Sequence, residues 1–183
     1  MSSPYRNNID SNFNSFKHVK IRWQKTLKFL EENDTINNGL DIGDRTDFTT
    51  KLENFYKCPF NNTDIDLDTE QLFGNYDIVT AFEIVEHLFN PLHFLLQIKN
   101  ILNKDGILYL STPKGKPYFL WSKEHFHEME YKRLFSLIER AGFKIIRKKE
   151  IRIQPFYFYF TGIRPILRFL FEKHLILELK LKV

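Results

Sequence analysis

Short, strongly apolar runs alternate with amphipathic segments along this chain of 183 residues, and the alternation limits the possible folds more than any other feature. The clearest runs are YDIVTAF (76–82) and ILYLSTP (107–113), and shorter or more polar ones occupy residues 40–42 and 144–153. Their length and their content of β-branched and aromatic residues are typical of buried strands. Strands that alternate with helices predict a doubly wound α/β domain with a mostly parallel sheet.

The predicted helices lie between these runs. Apolar residues recur every three or four positions in residues 16–33 and 122–143, and Gly142 suits a helix C-terminus. Residues 83–102 predict one or two helices, with a joint at Pro91. The pattern therefore supplies a helix before or after most of the predicted strands.

The segment that follows residues 40–42 and the C-terminal segment complete this prediction. Thr46 or Asp47 can cap a helix that runs to about residue 56, and TDIDLD (63–68) alternates polar and apolar residues as a strand would. Residues 154–174 predict an aromatic-rich helical cover. The alternating leucines of residues 175–183 predict a final, antiparallel strand.

Composition favours a packed domain in a reducing compartment. Hydrophobic residues make up 43% of the chain, the net charge is only +4, and Cys58 is the single cysteine. No nucleic-acid partner is expected, because no stripe of basic and aromatic residues lines the predicted site. The polar start of the chain and the lack of 18 consecutive apolar residues favour a cytoplasmic protein. We expect a loose arm at 1–15 and a single domain at 16–183.

Four blocks of the sequence resemble a known family when their order and spacing are taken together. They are DIG (41–43), YDIVTAFEIVEHLFNP (76–91), LNKDGILYLSTP (102–113) and ERAGFKII (139–146). In this respect the chain is similar to the class I S-adenosylmethionine-dependent methyltransferases, particularly the small single-domain members of the type 11/23 group. The resemblance implies a Rossmann-like fold and an S-adenosylmethionine cofactor. It also implies methyl transfer to a small-molecule, sugar or lipid-linked acceptor.

Two departures from the family pattern leave a second interpretation open. The glycines that usually follow the first one of the cofactor loop, Gly43, are replaced by Arg45 and Asp47. Only residues 44–75 separate DIG from YDIV, which is markedly shorter than in the family and predicts the loss of about one strand–helix unit. The alternative function is therefore a catalytically inactive binding or scaffold protein with a degenerate cofactor pocket.

The cofactor should bind outside the carboxyl ends of the strands, where the strand order reverses. The resemblance and this rule together give the candidate cofactor-binding residues Asp41, Gly43, Asp64, Asp66, Ala81, Phe82 and Glu83. Asp68 is a third candidate for the acid that holds the ribose. Two roles are open for Asp41. It could face the cofactor's ammonium group, or it could have a structural role in which it caps the next helix or pairs with Arg45.

Three histidines are candidates for proton transfer or for contact with the acceptor. His87 belongs to the Glu-His pair that the family carries after its fourth strand, and it could act as a general base. His125 and His127 fall where the family covers the substrate end of the crevice, although a helix there would splay them apart. No metal is expected, because the zinc pattern H-x-x-E-H would need a histidine at position 83, where the chain has glutamate.

Residues 156–174 are dense in aromatic side chains with Arg164, Arg168 and Lys173 among them. This composition is consistent with a helix that contacts a membrane surface or a lipid-like acceptor. The same side chains could instead complete the core, so both interpretations stay open. A peripheral membrane association is thus an alternative to a freely diffusing protein.

Overall fold

The computed structural model describes residues 16–33, 35–120, 122 and 125–182, so the predicted arm at 1–15 lies outside the described residues. Helices and strands alternate through these residues in the order α1 (Lys17–Leu27), β1 (Gly39–Asp41), α2 (Asp47–Tyr56), β2 (Phe60–Asn62), β3 (Tyr76–Phe82), α3 (Pro91–Ile101), β4 (Leu102–Pro113), α4 (Tyr131–Arg140), β5 (Phe143–Ile151), α5 (Ile163–Phe171) and β6 (His174–Leu181). Short 3-10 helices occur at Val85–His87, Tyr118–Leu120 and Phe156–Phe160.

The strands form one sheet in the order β2-β1-β3-β4-β6-β5. Strands β2, β1, β3 and β4 pair in parallel, whereas β6 is antiparallel to both of its neighbours, β4 and β5. The chain leaves β1 towards β2 on one side and resumes with β3 on the other, so the strand order reverses between β1 and β3. The predicted α/β architecture with an antiparallel C-terminal strand is confirmed.

The connection between β1 and β3 is short, as the sequence predicts, but its strand was wrongly placed. Residues 63–68 do not pair as a strand, and β2 is formed instead by Phe60–Asn62. Thr63 still bonds to the Gly43 backbone, and a turn follows in which the Asp68 amide donates to Asp66 Oδ1 and the Glu70 amide to the Asp66 carbonyl. Aspartate side chains commonly form such local hydrogen bonds in turns, and these bonds compete with strand pairing.

Helices cover both faces of the sheet, and alternate residues of each strand face opposite cores. One core contains buried side chains of α1 and α2 together with Ile78, Tyr109 and Ile176. The other contains side chains of α3 and α4 together with Val79 and Leu110. These two layers fix the carboxyl ends of β1, β3 and β4 along one edge.

Three predicted helices are shorter in the structure. Helix α1 ends at Leu27 rather than at residue 33, and the other two differences are related to each other. Residues 83–90 form only the 3-10 turn, and α4 begins at Tyr131 rather than at residue 122. Both differences have one cause, because the amides of Phe126 and His127 donate to the Glu86 carbonyl instead of to carbonyls of their own segment. The two segments thus satisfy each other's backbone groups at the carboxyl edge of the sheet.

The C-terminal cover connects two paired strand ends at this same edge. Ile151 ends β5, His174 begins β6, and these two residues pair with each other, while Pro113 at the end of β4 lies on the other side of His174. The intervening 3-10 helix and α5 hold together through Tyr159, whose ring centroid lies 5.0 Å from that of Phe169. Within the described residues, no helix combines the length and apolar character needed to cross a bilayer.

Candidate cofactor and acceptor site

The loop after β1 is built around Gly43, which has a φ of +101°. Its amide receives no strand partner and instead donates to Thr63 Oγ1 at 2.7 Å. A Cβ atom placed on Gly43 would meet nothing closer than Ile84 Cδ1 at 3.8 Å. The backbone therefore adopts a conformation that favours glycine, beside open space into which a ligand can approach.

The buried side chain of Asp41, at the end of β1, supports this loop. Its two carboxylate oxygens each accept a hydroxyl hydrogen bond of 2.6 Å, one from Thr49 on α2 and one from Thr80 on β3. Burial raises the pKa of Asp41, although the hydrogen bonds from Thr49, Thr80 and Asn62 oppose that shift. In the structure, the Asp41 side chain ties β1 to α2 and β3, and it makes no ion pair with Arg45.

Arg45 stands where the family usually has a second glycine, but its side chain leaves the loop. The guanidinium pairs with Glu53 of α2 at 2.5 Å and donates to the Phe60 carbonyl at 3.4 Å. Phe60 is the first residue of β2 and pairs with Gly39, the first residue of β1, so this contact lies towards the amino ends of the strands. These described contacts of Arg45 are therefore directed away from the carboxyl edge.

The acidic residues after β2 have different surroundings. Asp66 Oδ1 accepts from the Asp68 amide, and Asp68 in turn accepts from the amides of Phe89 and Asn90 at 2.9–3.1 Å. Asp64 is exposed and lies only two residues beyond the strand end. Asn62 occupies the last position of β2, and its side-chain amide donates to the carbonyls of Asp41 and Gly43. Asp66 and Asp68 thus stabilise the turn after β2. Of the three aspartates in this segment, Asp64 lies nearest to the end of β2 in sequence.

The end of β3 brings Ala81, Phe82 and Glu83 to the same edge. Ala81 is fully buried, and the Phe82 ring packs against Phe48 of α2 with centroids 5.6 Å apart. Glu83 has a φ of +58°, a left-handed conformation that is uncommon for a side chain of this kind. Its amide donates to the Ser111 carbonyl, which keeps the strained residue attached to β4.

The Glu83 carboxylate is the centre of a nearly buried polar cluster. Ser111 donates to Oε1 at 2.6 Å, His174 Nδ1 lies 2.7 Å from Oε2, and Arg22 of α1 approaches Oε2 at 3.6 Å. Burial opposes ionisation, but the nearby His174 and Arg22 and the hydrogen bonds from His174 and Ser111 lower the pKa of Glu83 below its usual range. Sequence reasoning missed Arg22, Ser111 and His174, because nothing in their local sequence marks them and only the tertiary fold brings them together.

Glu86, His87 and His125 form a second cluster beside the first. One ligand atom from each lies within 4.8 Å of the others, and Glu86 is completely buried with Oε2 accepting from Thr112 at 3.1 Å. Burial and the neighbouring charge of Glu83 raise the pKa of Glu86 well above its usual value. The donor types could hold a divalent cation if they moved inward, since metal bonds of about 2.0–2.2 Å bring ligand atoms closer than this.

The predicted catalytic histidines are partly brought together. The rings of His87 and His125 are perpendicular with centroids 4.7 Å apart, and His125 Nδ1 lies 2.6 Å from Glu128 Oε1. His127 instead donates from Nε2 to the Phe89 carbonyl at 3.3 Å. The segment is irregular rather than helical, and His125 and His127 contact different partners.

Comparison with known proteins agrees with this geometry. The family described as "Methyltransferase domain" matches residues 15–148. A 45-residue stretch is 42% identical to the ubiquinone biosynthesis O-methyltransferase of Glaesserella parasuis serovar 5 (strain SH0165), a match that covers 25% of this chain and only 17% of that protein.

Solved structures show the same fold at low sequence identity. The N-methyltransferase NodS from Bradyrhizobium japonicum WM9, in complex with S-adenosyl-L-homocysteine, superposes with a TM-score of 0.66 at 11% identity over 97% of this chain and 94% of that one. An O-methyltransferase from a Brevibacillus brevis trans-AT PKS multienzyme, also in complex with S-adenosyl-L-homocysteine, gives 0.62 at 12% identity over 87% and 72%. With the family match over most of the chain, these findings establish that the protein belongs to the class I S-adenosylmethionine-dependent methyltransferases, with S-adenosylmethionine as its cofactor.

Proposed function

We propose that this chain is an active methyltransferase that transfers the cofactor's methyl group to a small-molecule acceptor. The observation that carries this proposal is the open, glycine-specific loop at Gly43, which lies where the strand order reverses and which Arg45 does not enter. Methyl transfer requires mainly that the acceptor be aligned behind an already activated methyl group. A chain that keeps this loop accessible can still hold the cofactor in the position that this alignment requires.

The roles proposed for the site residues follow from their positions. Gly43 and the end of β3, at Ala81 and Phe82, would contact the cofactor, and Asp64 is the strongest candidate for the ribose hydroxyls. Asp41 is better described as a positioning residue, because both of its oxygens already accept hydroxyl hydrogen bonds. S-adenosylmethionine supplies the electrophilic methyl group, and the chain supplies alignment and exclusion of water.

Binding of S-adenosyl-L-homocysteine, measured by calorimetry, tests this proposal. We expect the wild type to bind and the Gly43→Ala variant to lose at least about tenfold in affinity, because φ near +101° disfavours any side chain. Gly162→Ala is the matched control: it also has a positive φ and an uncrowded Cβ position, but lies at the start of α5. A folded wild type that gives no binding heat at millimolar ligand would refute the proposal.

For the acceptor, we propose a lipid-linked or membrane-associated molecule reached through the C-terminal cover. None of the α5 side chains is buried, and Ile163 and Leu170 are 80% and 56% exposed on it. Phe156 and Phe160 of the preceding 3-10 helix are each 71% exposed. An apolar patch of this kind marks an interaction surface.

The charges around this patch favour an anionic lipid surface. Arg164 and Arg168 lie on α5 itself. A cavity of about 400 Å³ opens beside the end of the helix and is lined by Lys114, Lys116 and Lys173 together with Glu130, Leu170 and other residues. Two of these lysines are paired, Lys116 with Glu128 and Lys173 with Glu150. Basic side chains beside exposed apolar ones are the composition of helices that lie in the membrane interface.

Co-sedimentation with phosphatidylcholine vesicles, with and without phosphatidylglycerol, tests this second proposal. We expect binding to the anionic vesicles that weakens with salt, and a loss of binding in the Ile163→Ser/Leu170→Ser double variant. Phe73→Ser is the control, because Phe73 is 73% exposed but lies before β3, at the opposite edge of the sheet. A wild type that stays in the supernatant with both vesicle types would exclude the membrane contact and leave methyl transfer unaffected.

A further inference from the structure

We infer that Glu83 and His174 form an acid–base dyad that removes the proton from a hydroxyl acceptor during methyl transfer. This inference rests on the proposed methyltransferase activity and narrows the acceptor to molecules that are methylated at a hydroxyl oxygen. His174 then serves as the proton-accepting group, and Glu83 holds it in position.

The first argument is the position of His174 in the sheet. The cofactor loop lies at the end of β1, beside β3, and β4 and β6 follow in the sheet order. His174 is the first residue of β6 and pairs with Pro113 at the end of β4, so it lies at the same edge as Gly43 and Glu83. An acceptor placed next to the cofactor, on the β4 side, meets His174.

The second argument is the orientation of the imidazole. Its Nδ1 lies 2.7 Å from the Glu83 carboxylate, and its Nε2 is buried with no hydrogen-bond partner among the described residues. A histidine that gives its Nδ1 proton to a carboxylate presents the Nε2 lone pair as a base. A buried nitrogen without a partner is costly, so its retention is explained if the acceptor hydroxyl becomes its partner when the acceptor binds.

The third argument is the backbone of Glu83. Its left-handed conformation costs free energy, and strain of this kind is concentrated at functional sites. Both carboxylate oxygens are occupied, by Ser111 and by His174, so the strained backbone aims the side chain at β4 and β6. The conformation therefore serves to fix the imidazole.

Arg22 favours the ionised form of Glu83, because its guanidinium lies 3.6 Å from the carboxylate. Glu86 is a further charged neighbour of the dyad, and burial together with the charge of Glu83 raises its pKa. On the side of α1, His18 interacts electrostatically with His174 and with Glu172. An ionised Glu83 stabilises the imidazolium that forms when His174 accepts a proton. The arrangement is therefore suited to a base that gains charge during the reaction.

The chemical step balances without a further reactant. The acceptor oxygen attacks the sulfonium methyl carbon, the carbon–sulfur bond breaks, and its electron pair stays on sulfur as a neutral thioether. The hydroxyl proton passes to His174 Nε2 and is later released to solvent. Because Nε2 is buried, the hydroxyl reacts in a space from which bulk water is excluded.

Nuclear magnetic resonance of the full chain with ¹⁵N-labelled histidine tests the dyad directly. With His174 sequentially assigned, we expect the neutral ring to carry its proton on Nδ1, which lies 2.7 Å from Glu83, and we expect this tautomer preference to be lost in the Glu83→Gln variant. A neutral ring that carries its proton on Nε2 would overturn the inference, since that nitrogen could not accept the hydroxyl proton.

A rate measurement provides an independent readout. Release of S-adenosyl-L-homocysteine is followed with catechol as a hydroxyl probe. We expect His174→Gln to lower the rate of this release by about 10²–10⁴-fold, which is the usual contribution of a general base. The affinity for S-adenosyl-L-homocysteine should be unchanged. His93→Gln, on the exposed side of α3, is the control. A folded His174→Gln variant with wild-type turnover would refute the inference; if the wild type does not turn over catechol, the resonance experiment decides.

Discussion

At the residue scale, Asp41 shows how a buried acid can organise a loop through hydroxyl hydrogen bonds. The sequence places an aspartate at the end of a buried strand, which is compatible with either a cofactor contact or a structural role. In the structure, both carboxylate oxygens accept hydrogen bonds from hydroxyl groups on α2 and β3. These donors, Thr49 and Thr80, are 8 and 39 residues away along the chain, so the local sequence does not reveal them.

The free energy of unfolding should depend on pH in opposite directions for two aspartates, the buried Asp41 and the partly buried Asp77. Burial raises the native pKa of Asp41, so the native state binds more protons than the unfolded state. We expect wild-type stability relative to Asp41→Asn to fall as the pH rises from about 4, the unfolded value, through the raised native pKa. Urea unfolding of both proteins over this range measures the difference.

Asp77→Asn is the control of opposite sign. Although burial opposes it, hydrogen bonds from the Asn37 amide and the Asn103 side chain lower the native pKa of Asp77. Wild-type stability relative to Asp77→Asn should therefore be present above about pH 4 and be lost as the pH falls through the lowered native pKa. The same sign for both variants would contradict the assigned environments.

At the element scale, α2 begins where the sequence predicts because its cap is encoded locally. The Phe48 amide donates to Thr46 Oγ1, and the Thr46 amide donates to Thr49 Oγ1. The start of α4 was predicted wrongly, because the amides of Phe126 and His127 bond to Glu86, about 40 residues away. Helix starts that depend on distant carbonyls leave no signature in the local sequence.

The α2 cap gives a prediction at this scale. Thr46→Ala should lower the free energy of unfolding by about 1 kcal/mol, since it leaves the first amides of the helix without an acceptor. Thr50→Ala, on the exposed face of the same helix, should change it by at most a few tenths of a kcal/mol. Thermal or urea unfolding measures both, and equal effects would rule out the cap as the cause.

At the scale of the whole molecule, β6 joins the C-terminal segment to the parallel part of the sheet through its pairing with β4. Leu177 is completely buried and lies between Leu110 of β4 and Lys148 of β5. Leu177→Ala should cost about 2–5 kcal/mol, because it opens a cavity in a close-packed core. Ile146→Ala is the control, since Ile146 is 44% exposed on β5.

Global unfolding in urea, followed by far-ultraviolet circular dichroism and by tryptophan fluorescence, measures this effect. In a Trp121→Phe background Trp23 is the single tryptophan, and its fluorescence reports on the opposite face of the sheet from Leu177. If the sheet unfolds as one unit, both probes should shift equally in Leu177→Ala. A shift in one probe only would show that β6 unfolds separately.

Local patterns in the sequence are sufficient to predict the α/β alternation, most strand positions and the shortened connection after β1, because apolar periodicity and capping depend on neighbouring residues. The family followed from the resemblance of four sequence blocks in a fixed order. The direction of the Arg45 side chain, the position of β2 before the acidic segment, and the meeting of Glu83, Ser111 and His174 became known only from the folded chain. Those outcomes depend on contacts between residues 8 to 91 positions apart. Such contacts arise from strand order and helix packing, which no local pattern specifies.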